Sequence, residues 1–364
     1  MFEKIKGNFG FGAMRVPMTD KQFDKEKTCE MVDAFINAGF NYFDTAHGYM
    51  EGQSERLLRE CVVERYPRES VVIADKLSPW FFEKEEEVLP LFEKQLCNCG
   101  VEYFDFYLFH TIRDGIYQKH LKCNTFKIVE ELKNQGKIKH IAMSFHDSAE
   151  FLDKILTEQP MIEAVQLQIN YLDYDDPTIQ SKACYDVAVK HGKKVIVMEP
   201  VRGGLLANLP PEGVAVLEKV YKGSPASFAL RYAASYPEVF MVLSGMSDIS
   251  MVKDNITAMS NFVPLSREEE KTADILREII RKTRLVPCTK CNYCKDVCPE
   301  GLPIPEMFEI FNQFRGAKKE RKLVSEELKG YADKLESCIK CGKCEKVCPQ
   351  KIEIRELIDS MKSV

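Results

Sequence analysis

Two stretches near the end of the chain repeat one cysteine spacing, C-x2-C-x2-C-x3-C-P. The first reads CTKCNYCKDVCP and the second CIKCGKCEKVCP. With this spacing, three thiolates on a short loop can each reach one iron corner of a cubane, and the fourth can reach another cluster. Proline after the fourth cysteine removes a backbone donor and stops the turn. The spacing predicts two [4Fe–4S] clusters, with metal ligands at Cys288, Cys291, Cys294, Cys298, Cys338, Cys341, Cys344 and Cys348.

The fourth cysteine and its proline separate this prediction from a zinc site. Zinc would require two CxxC pairs that form four ligands, and it would not need the repeated fourth cysteine and proline. In the two-cluster pattern, the fourth cysteine of each run serves the other cluster. One predicted set is therefore Cys288, Cys291, Cys294 and Cys348, and the other is Cys338, Cys341, Cys344 and Cys298. Helices predicted at 305–314 and 325–334 make this tail similar to an α-helical ferredoxin domain.

A second group of reactive side chains stands where three successive predicted strands end. Asp44 ends the second strand within DTAHGY, and Tyr49 follows it by five residues. Lys76 ends the third strand and His110 ends the fourth. Tyrosine ordinarily titrates near ~10, too high for efficient acid–base catalysis at neutral pH, but a neighbouring ammonium favours the phenolate. Asp44 would hold Lys76 in place, and His110 would donate a hydrogen bond to a carbonyl oxygen. The set predicts protonation of a carbonyl as hydride reaches its carbon.

The elements that carry these residues alternate short apolar runs with amphipathic helical stretches, as in α/β folds. Runs such as VVIA and VIVM are continuously apolar, which is typical of strands buried on both faces of a parallel sheet. Eight such strands predict a (β/α)8 TIM barrel, whose active site lies at the carboxyl ends of its strands. A doubly wound open sheet is the alternative, but the first strand carries only GFGAM in place of a glycine-rich dinucleotide turn. The predicted strands are 9–13, 40–44, 71–76, 104–109, 138–143, 164–169, 194–198 and 240–244.

Length and composition predict two domains in a cytoplasmic protein. We expect a barrel over 1–284 and a two-cluster ferredoxin-type domain over 285–364, because the cysteines begin near Arg284–Pro287. A formal charge of −5 argues against nucleic acid as the main partner. No run approaches the ~18 apolar residues of a membrane helix, and MFEKIKGNFG has no apolar export region. Clustered cysteines in a reduced compartment favour metal binding. The run KKERK at 318–322 is either a solvated face or a dock for an acidic electron carrier.

The order DTAxxY, strand-end lysine and strand-end histidine resembles the aldo-keto reductase family over roughly residues 7–260. With the cysteine tail, the chain resembles the subgroup that has a C-terminal 2×[4Fe–4S] ferredoxin-type domain. The resemblance implies that Asp44, Tyr49, Lys76 and His110 are the catalytic tetrad, with Tyr49 as the general acid/base. It also implies that a nicotinamide dinucleotide binds in extended form across the barrel mouth.

The same resemblance implies nucleotide contacts. Ser144 and Gln166 match the positions that hold the carboxamide, and Asn255 matches an adenine contact. Met198 falls where an aromatic residue often stacks on the nicotinamide ring. Arg202, within EPVRGG, either contacts a phosphate or is a structural surface arginine.

Two further positions bear on the choice of nucleotide and one on the substrate. Gly245 and Met251 fall where many NADP-preferring relatives carry a lysine and an arginine, which would bind the 2′-phosphate. Because this chain has neither cation at these positions, we expect NAD(H) at least as strongly as NADP(H). Trp80, the only tryptophan, either forms a wall of the substrate pocket or is a partly exposed packing residue.

The two predicted chemistries differ in electron count, because hydride transfer moves two electrons together and clusters move them singly. The tail could pass electrons between the barrel and an external carrier of ferredoxin or flavodoxin type, directly or through a flavin at the mouth, although no flavin motif is evident. It could instead be a redox sensor or partner dock, or the clusters could be structural. The predicted function is NAD(P)H-linked oxidoreduction of a carbonyl or alcohol with electron transfer in the tail. The alternative is an iron–sulfur protein that uses the barrel as a scaffold, which the intact four-residue set disfavours.

Overall fold

The computed structural model describes residues 2–283, 286–312 and 328–362. Contacts between residues divide the chain into two compact units. The first contains 1–201 and 223–270, and the second contains 202–222 and 271–364. The second unit therefore includes a segment from the middle of the chain as well as the cysteine-rich tail. Among the described residues, no helix is long and apolar enough to cross a membrane.

The first unit is a closed barrel of eight parallel strands, β1 to β8 in chain order. Each strand pairs with the next along the chain, and β1 pairs with β8 to close the barrel, with Phe9 opposite Val242. This confirms the TIM barrel and excludes the doubly wound sheet. The strands are Phe9–Gly12, Tyr42–Asp44, Val72–Leu77, Phe104–Ile112, Ile138–Phe145, Ala164–Gln168, Lys194–Met198 and Val239–Gly245.

Alternation along the strands divides the barrel core into an inner and an outer layer. Tyr42, Ala74 and Leu108 belong to the inner cluster, whereas Phe43 and Ile73 belong to the larger cluster that packs against the helices. Asp44, Lys76 and His110 each lie two residues after one of these inner residues, and therefore on the same face of its strand. The period of two therefore directs these side chains toward the barrel axis at the carboxyl ends of β2, β3 and β4.

Helices surround the barrel, and several begin with a side-chain cap. Asp24, Ser148, Ser224 and Asp248 each accept a hydrogen bond from a backbone N–H in the first turn of the following helix, which satisfies a donor that has no partner within the helix. A short hairpin pairs Met18–Thr19 with Gln22–Phe23. The helices of this unit are Lys25–Asn37, Gln53–Leu58, Val88–Cys99, Asp114–Lys122, Thr125–Asn134, Ala149–Glu158, Ser181–Lys190, Pro225–Ala234 and Ile249–Ser260. Arg267–Thr283 runs from the first unit into the second.

In its described residues the second unit contains helices joined by loops and no strand, as the sequence predicts for an α-helical domain. Its core contains Leu302, Met307, Phe308 and Ile358, and the thiols of Cys294 and Cys344 join it. The helix predicted at 305–314 is observed at Ile304–Asn312. Part of the one predicted at 325–334 lies outside the described residues, as does KKERK at 318–322. The other helices are Pro211–Leu217, Tyr293–Asp296, Ala332–Glu336, Lys343–Val347 and Ile354–Lys362.

Candidate active site and cysteine sites

A buried ion pair lies at the carboxyl ends of β2 and β3. The Lys76 ammonium is 2.6 Å from Oδ1 of Asp44 and donates to the carbonyl of Thr45 at 2.6 Å. Both charged side chains are almost fully buried, so the pair depends on these short contacts to offset the loss of water. Burial raises the pKa of Asp44, while Lys76 and Gln166 oppose that rise. The Lys76 Nζ lies 4.9 Å from the centre of the Tyr49 ring.

His110 completes the predicted group of four. Its ring centre lies 5.7 Å from that of Tyr49, and its Nδ1 is 2.7 Å from the hydroxyl of Ser78. Burial, reinforced by the positive charge of Lys76, holds the pKa of His110 well below its ordinary value, so the ring is neutral near pH 7. When the Ser78 hydroxyl donates to Nδ1, the proton of the neutral ring is on Nε2. The structure therefore brings Asp44, Tyr49, Lys76 and His110 together.

Left-handed backbone directly follows two residues of this group. Met50 follows Tyr49 with a φ of 54°, and Thr111 follows His110 with a φ of 58°. Glu199 follows Met198 with a φ of 55°. Left-handed backbone at residues other than glycine costs ~1–3 kcal/mol and concentrates at functional sites. Two such residues directly after Tyr49 and His110 are consistent with a functional site at this end of the barrel.

The predicted carboxamide-binding residues are neighbours on adjacent strands. Ser144 on β5 lies opposite Gln166 on β6 in the strand register, and both are buried. The backbone N–H of Thr111 donates to the Ser144 hydroxyl at 2.7 Å. The Gln166 side chain also forms a hydrogen bond with Asp44, which lowers the pKa of that carboxyl against the effect of burial. A hydroxyl and an amide at this place supply the donors and acceptors that a carboxamide needs.

The residues predicted at the adenosine end lie around the end of β8. Asn255 donates to the hydroxyl of Ser244 at 3.1 Å, and both are buried. Gly245 ends β8, and a Cβ on it would lie 3.2 Å from Cδ of Arg15. Met251 is exposed over 47 % of its surface. A cation, Arg15, therefore lies beside the position where many NADP-preferring relatives carry a lysine.

Sequence reasoning missed several residues of this site. Arg15 also pairs with Glu199 at 3.6 Å, and nothing in the sequence placed the loop after β1 beside β8. Ser78 could have been found, because it follows Lys76 by two residues and continues the same face of the strand. His47, within DTAHGY, bonds through Nδ1 to the buried carboxylate of Glu55 at 2.9 Å, which anchors the segment that carries Tyr49.

Arg202 lies in the second unit. Its Nη2 donates to Oε1 of Gln350 at 3.0 Å, and only 5 % of Arg202 is exposed. The interpretation of Arg202 as a surface arginine is therefore wrong, and its contact with a phosphate stays a prediction. The next residue, Gly203, has a φ of +63°, and a Cβ there would meet the carbonyl oxygen of Thr289 at 2.1 Å. This tight approach lies directly against the first cysteine run.

Cysteines of the two runs lie near one another in the second unit. Cys298 of the first run lines one small cavity together with Cys338, Cys341 and Cys344 of the second. Burial raises the pKa of the Cys294 thiol, and the charges of Cys291, Cys288, Cys348 and Cys344 raise it further. The cavity lined by Cys298 and the second run is consistent with one predicted ligand set, and the assignment of ligands to two clusters stays a prediction.

The donor chemistry of the small cavity bears on what it could hold. Cys298, Cys338, Cys341 and Cys344 line it. In the described part of the chain, no three Cys, His, Asp or Glu side chains are grouped closely enough to hold a single metal ion. The donor set of four thiols around one cavity fits a group with several iron corners.

Comparison with known proteins covers both units. A family model described as "Aldo/keto reductase family" matches residues 8–278. A second, described as "4Fe-4S dicluster domain", matches residues 287–353. The two matches account for most of the chain in the order that the sequence predicts.

Individual relatives are distant. The chain is 24% identical to "Uncharacterized oxidoreductase YqkF" of Bacillus subtilis, over 68% of this chain and 87% of that protein. It is 24% identical to "L-galactose dehydrogenase" of Arabidopsis thaliana, over 73% of this chain and 88% of that protein. Among solved structures, the aldo-keto reductase AKR11C1 from Bacillus halodurans (holo form) is 24% identical with a TM-score of 0.61, covering 74% of this chain and 91% of that one. An aldo-keto reductase from Klebsiella pneumoniae in complex with NADPH is 20% identical, with the same TM-score, over 74% and 90%. These structural likenesses establish the fold of the barrel.

Proposed function

Because the chain belongs to the aldo/keto reductase family and ends in a 4Fe-4S dicluster domain, we propose that it joins two redox activities. The barrel reduces a carbonyl, or oxidises the corresponding alcohol, with NAD(P)(H), and two [4Fe–4S] clusters in the second unit transfer electrons to or from an external carrier. The observation that carries the barrel assignment is the buried Lys76–Asp44 pair, with Lys76 beneath the Tyr49 ring and His110 beside it.

Tyr49 is the proton donor in this proposal. The Lys76 ammonium, 4.9 Å from the ring centre, stabilises the phenolate that remains after proton transfer. Asp44 and the Thr45 carbonyl fix the ammonium, so it does not have to reorient as charge develops. A bound nicotinamide supplies the hydride that reaches the carbonyl carbon.

Neutral His110 orients the substrate. With Ser78 donating to Nδ1, Nε2 carries the hydrogen that would point to the carbonyl oxygen. Protonated His110 beside Lys76 would place two buried positive charges together, which the depressed pKa of His110 avoids. His110 is therefore a hydrogen-bond donor, and Tyr49 is the acid.

The cofactor cradle favours NAD(H). Ser144 and Gln166 would hold the carboxamide, and Asn255 would contact the adenine. The helix that follows β8 begins after Asp248, whose carboxylate accepts from the N–H of Ser250 at 2.7 Å. Hydrogen bonds from the Ser250 side chain and then from its backbone N–H lower the pKa of Asp248, so a negative charge stays at a helix end that would otherwise attract a 2′-phosphate. Arg15 beside Gly245 is the cation that would counter this preference.

The rim around His110 predicts a substrate with an apolar part. The Trp80 ring lies edge-on to His110 at 5.4 Å and is 42 % exposed. The exposed ring of Phe81 lies against His47 at 4.7 Å. Two exposed rings in one short segment next to the catalytic group would contact the substituent of an aldehyde or ketone.

The clusters follow the two predicted ligand sets. Cys288, Cys291, Cys294 and Cys348 would hold one cluster, and Cys338, Cys341, Cys344 and Cys298 the other. The grouping of Cys298 with the second run around one cavity supports this crossed assignment. Each cluster, when present, supplies transfer of a single electron.

Replacement of Tyr49 by Phe tests the barrel assignment. Anaerobically purified protein is assayed with NADH and with NADPH against a panel of aldehydes and ketones. We expect Tyr49→Phe to lower kcat/KM by ~10²–10⁴-fold, the usual contribution of a general acid, and the iron content to stay unchanged. Equal rates for the variant and the wild type would exclude Tyr49 as the acid, and a higher kcat/KM with NADPH would exclude the preference for NADH.

A further inference from the structure

The two cysteine runs place different residues at equivalent positions of the same framework. Thr289 follows the first cysteine of its run and is buried, with the carbonyl oxygen held against Gly203. Ile339 follows the first cysteine of the second run and is 61 % exposed. The residue after the first cysteine is therefore covered by the protein in the first run, whereas in the second run it is a large apolar side chain exposed to solvent. Cys341, a proposed cluster ligand, is exposed beside it.

The second run also carries more positive charge than the first. Over 288–301, two lysines are matched by one aspartate and one glutamate, which gives a net charge of zero. Over the equivalent 338–351, four lysines face one glutamate, which gives +3. Tyr293 and Asp296 of the first run are replaced by Lys343 and Lys346 in the second.

The ion pairs of the described residues increase this contrast. In the first run, Lys290 pairs with Glu309 at 2.5 Å and Lys295 pairs with Glu306 at 2.9 Å. In the second, Lys340 pairs with Asp359 at 2.8 Å. Lys343 and Lys346 are exposed, and neither forms an ion pair with another residue in the described part of the chain. Exposed cations around a proposed cluster ligand give the second run a positive potential that attracts an acidic protein.

We propose that the carrier face, formed by Ile339, Lys340, Cys341, Lys343 and Lys346, docks a small acidic iron–sulfur protein of the ferredoxin type. The inference rests on the proposed function, because it needs a cluster held by Cys338, Cys341, Cys344 and Cys298. One electron passes from the reduced carrier to this cluster, so the carrier is oxidised by one electron and the cluster is reduced by one. No bond is made or broken and no proton moves. Transient electron-transfer complexes are small and are steered by charge.

Charge reversal on the carrier face tests the proposal. The anaerobic holoprotein with oxidised clusters is mixed by stopped flow with a chemically reduced, strongly acidic [2Fe–2S] ferredoxin. Reoxidation of the ferredoxin is followed at several salt concentrations, at a wavelength where its spectrum differs from that of the [4Fe–4S] clusters. We expect Lys343→Glu/Lys346→Glu to lower the second-order rate constant by ~10-fold or more and to flatten its dependence on salt. Ile339→Ala should slow the reaction less, without altering the salt dependence.

A matched charge reversal on the barrel is the control. Lys127→Glu/Lys154→Glu changes the net charge equally, on two exposed residues of barrel helices, and should leave the rate within about twofold of wild type. Equal slowing by both double variants, or a wild-type rate in the carrier-face variant, would overturn the docking proposal. Iron content and the spectrum after dithionite reduction are measured for every variant. Absence of clusters in the wild type would refute the proposed function, whereas normal clusters with charge-insensitive rates would refute the docking face alone.

Discussion

The barrel site and the cysteine sites are built in opposite ways. In the barrel, Asp44, Lys76 and His110 come from three strands and meet only because each strand directs them inward at the same end. In the second unit, three proposed ligands of each cluster lie within one short loop, and a single cysteine from the other run completes each set. The barrel site therefore depends on the packing of the whole unit, whereas the cysteine sites would depend on the metal. A change in one unit should leave the chemistry of the other intact.

Of the predicted changes, loss of the Lys76 ammonium should have the largest effect, and it should be confined to the barrel. Lys76→Met leaves the buried Asp44 carboxylate without its cation, and removal of one partner from a buried pair costs ~3–5 kcal/mol. We expect a lower midpoint of barrel unfolding in calorimetry, together with loss of carbonyl reduction and unchanged iron content. Lys76→Met/Asp44→Asn should recover most of the stability and none of the activity. A single variant as stable as the wild type would show that the pair is not required for packing.

The residues of the proposed catalytic group could be brought together from the sequence because they follow local rules. Strand ends are visible in the sequence as the ends of apolar runs, and the active side of a TIM barrel is its carboxyl edge. The sequence alone therefore indicates Tyr49 and His110. Arg15 could not be found this way, because its proximity to Gly245 depends on closure of the barrel between the first and last strands. Ser78 obeys the same local rule as Lys76, and the sequence prediction nevertheless omitted it.

The place of residues 202–222 was also beyond local reasoning. The sequence predicts one boundary near residue 284, and the contacts assign this earlier segment to the second unit. Nothing in EPVRGG indicates that Arg202 is buried or that Gly203 lies against Thr289, since both facts depend on residues far along the chain. The cysteine spacing predicted the ligand types, whereas the covering of one run and the exposure of the other come from tertiary contacts.

Iron removal should have a smaller effect, confined to the second unit. The apolar core described there is small, and domains of this size are commonly stabilised by metals or cross-links. We expect chelation under anaerobic conditions to make the C-terminal region sensitive to limited proteolysis while the barrel core resists. The untreated holoprotein is the reference. Equal resistance before and after chelation would show that the second unit folds without its clusters, and equal sensitivity of the barrel would break the comparison between the units.

The smallest predicted effect is a change in the reduction potential of one proposed cluster and not of the other. The buried Arg202 bonds to Gln350, two residues after Cys348, and Gly203 lies against Thr289, next to Cys288. A fixed positive charge beside the proposed cluster of Cys288 and Cys348 would stabilise its reduced form, which carries one more negative charge. Arg202→Gln should therefore lower the reduction potential of that cluster. We expect its reduction equilibrium constant to fall by a factor on the order of ten, which for one electron corresponds to ~59 mV.

The measurement is a potentiometric titration followed by EPR, with two variants as references. Arg202→Lys keeps the charge and should keep the potential. Arg355→Gln removes a charge beside the cavity of Cys338, Cys341 and Cys344, where Glu345 already pairs with it at 2.8 Å. Because that arginine is exposed and paired with an acid, its removal should shift the other cluster less than Arg202→Gln shifts the first. A shift of both clusters by Arg202→Gln, or of neither, would show that Arg202 does not act on the first cluster through its charge.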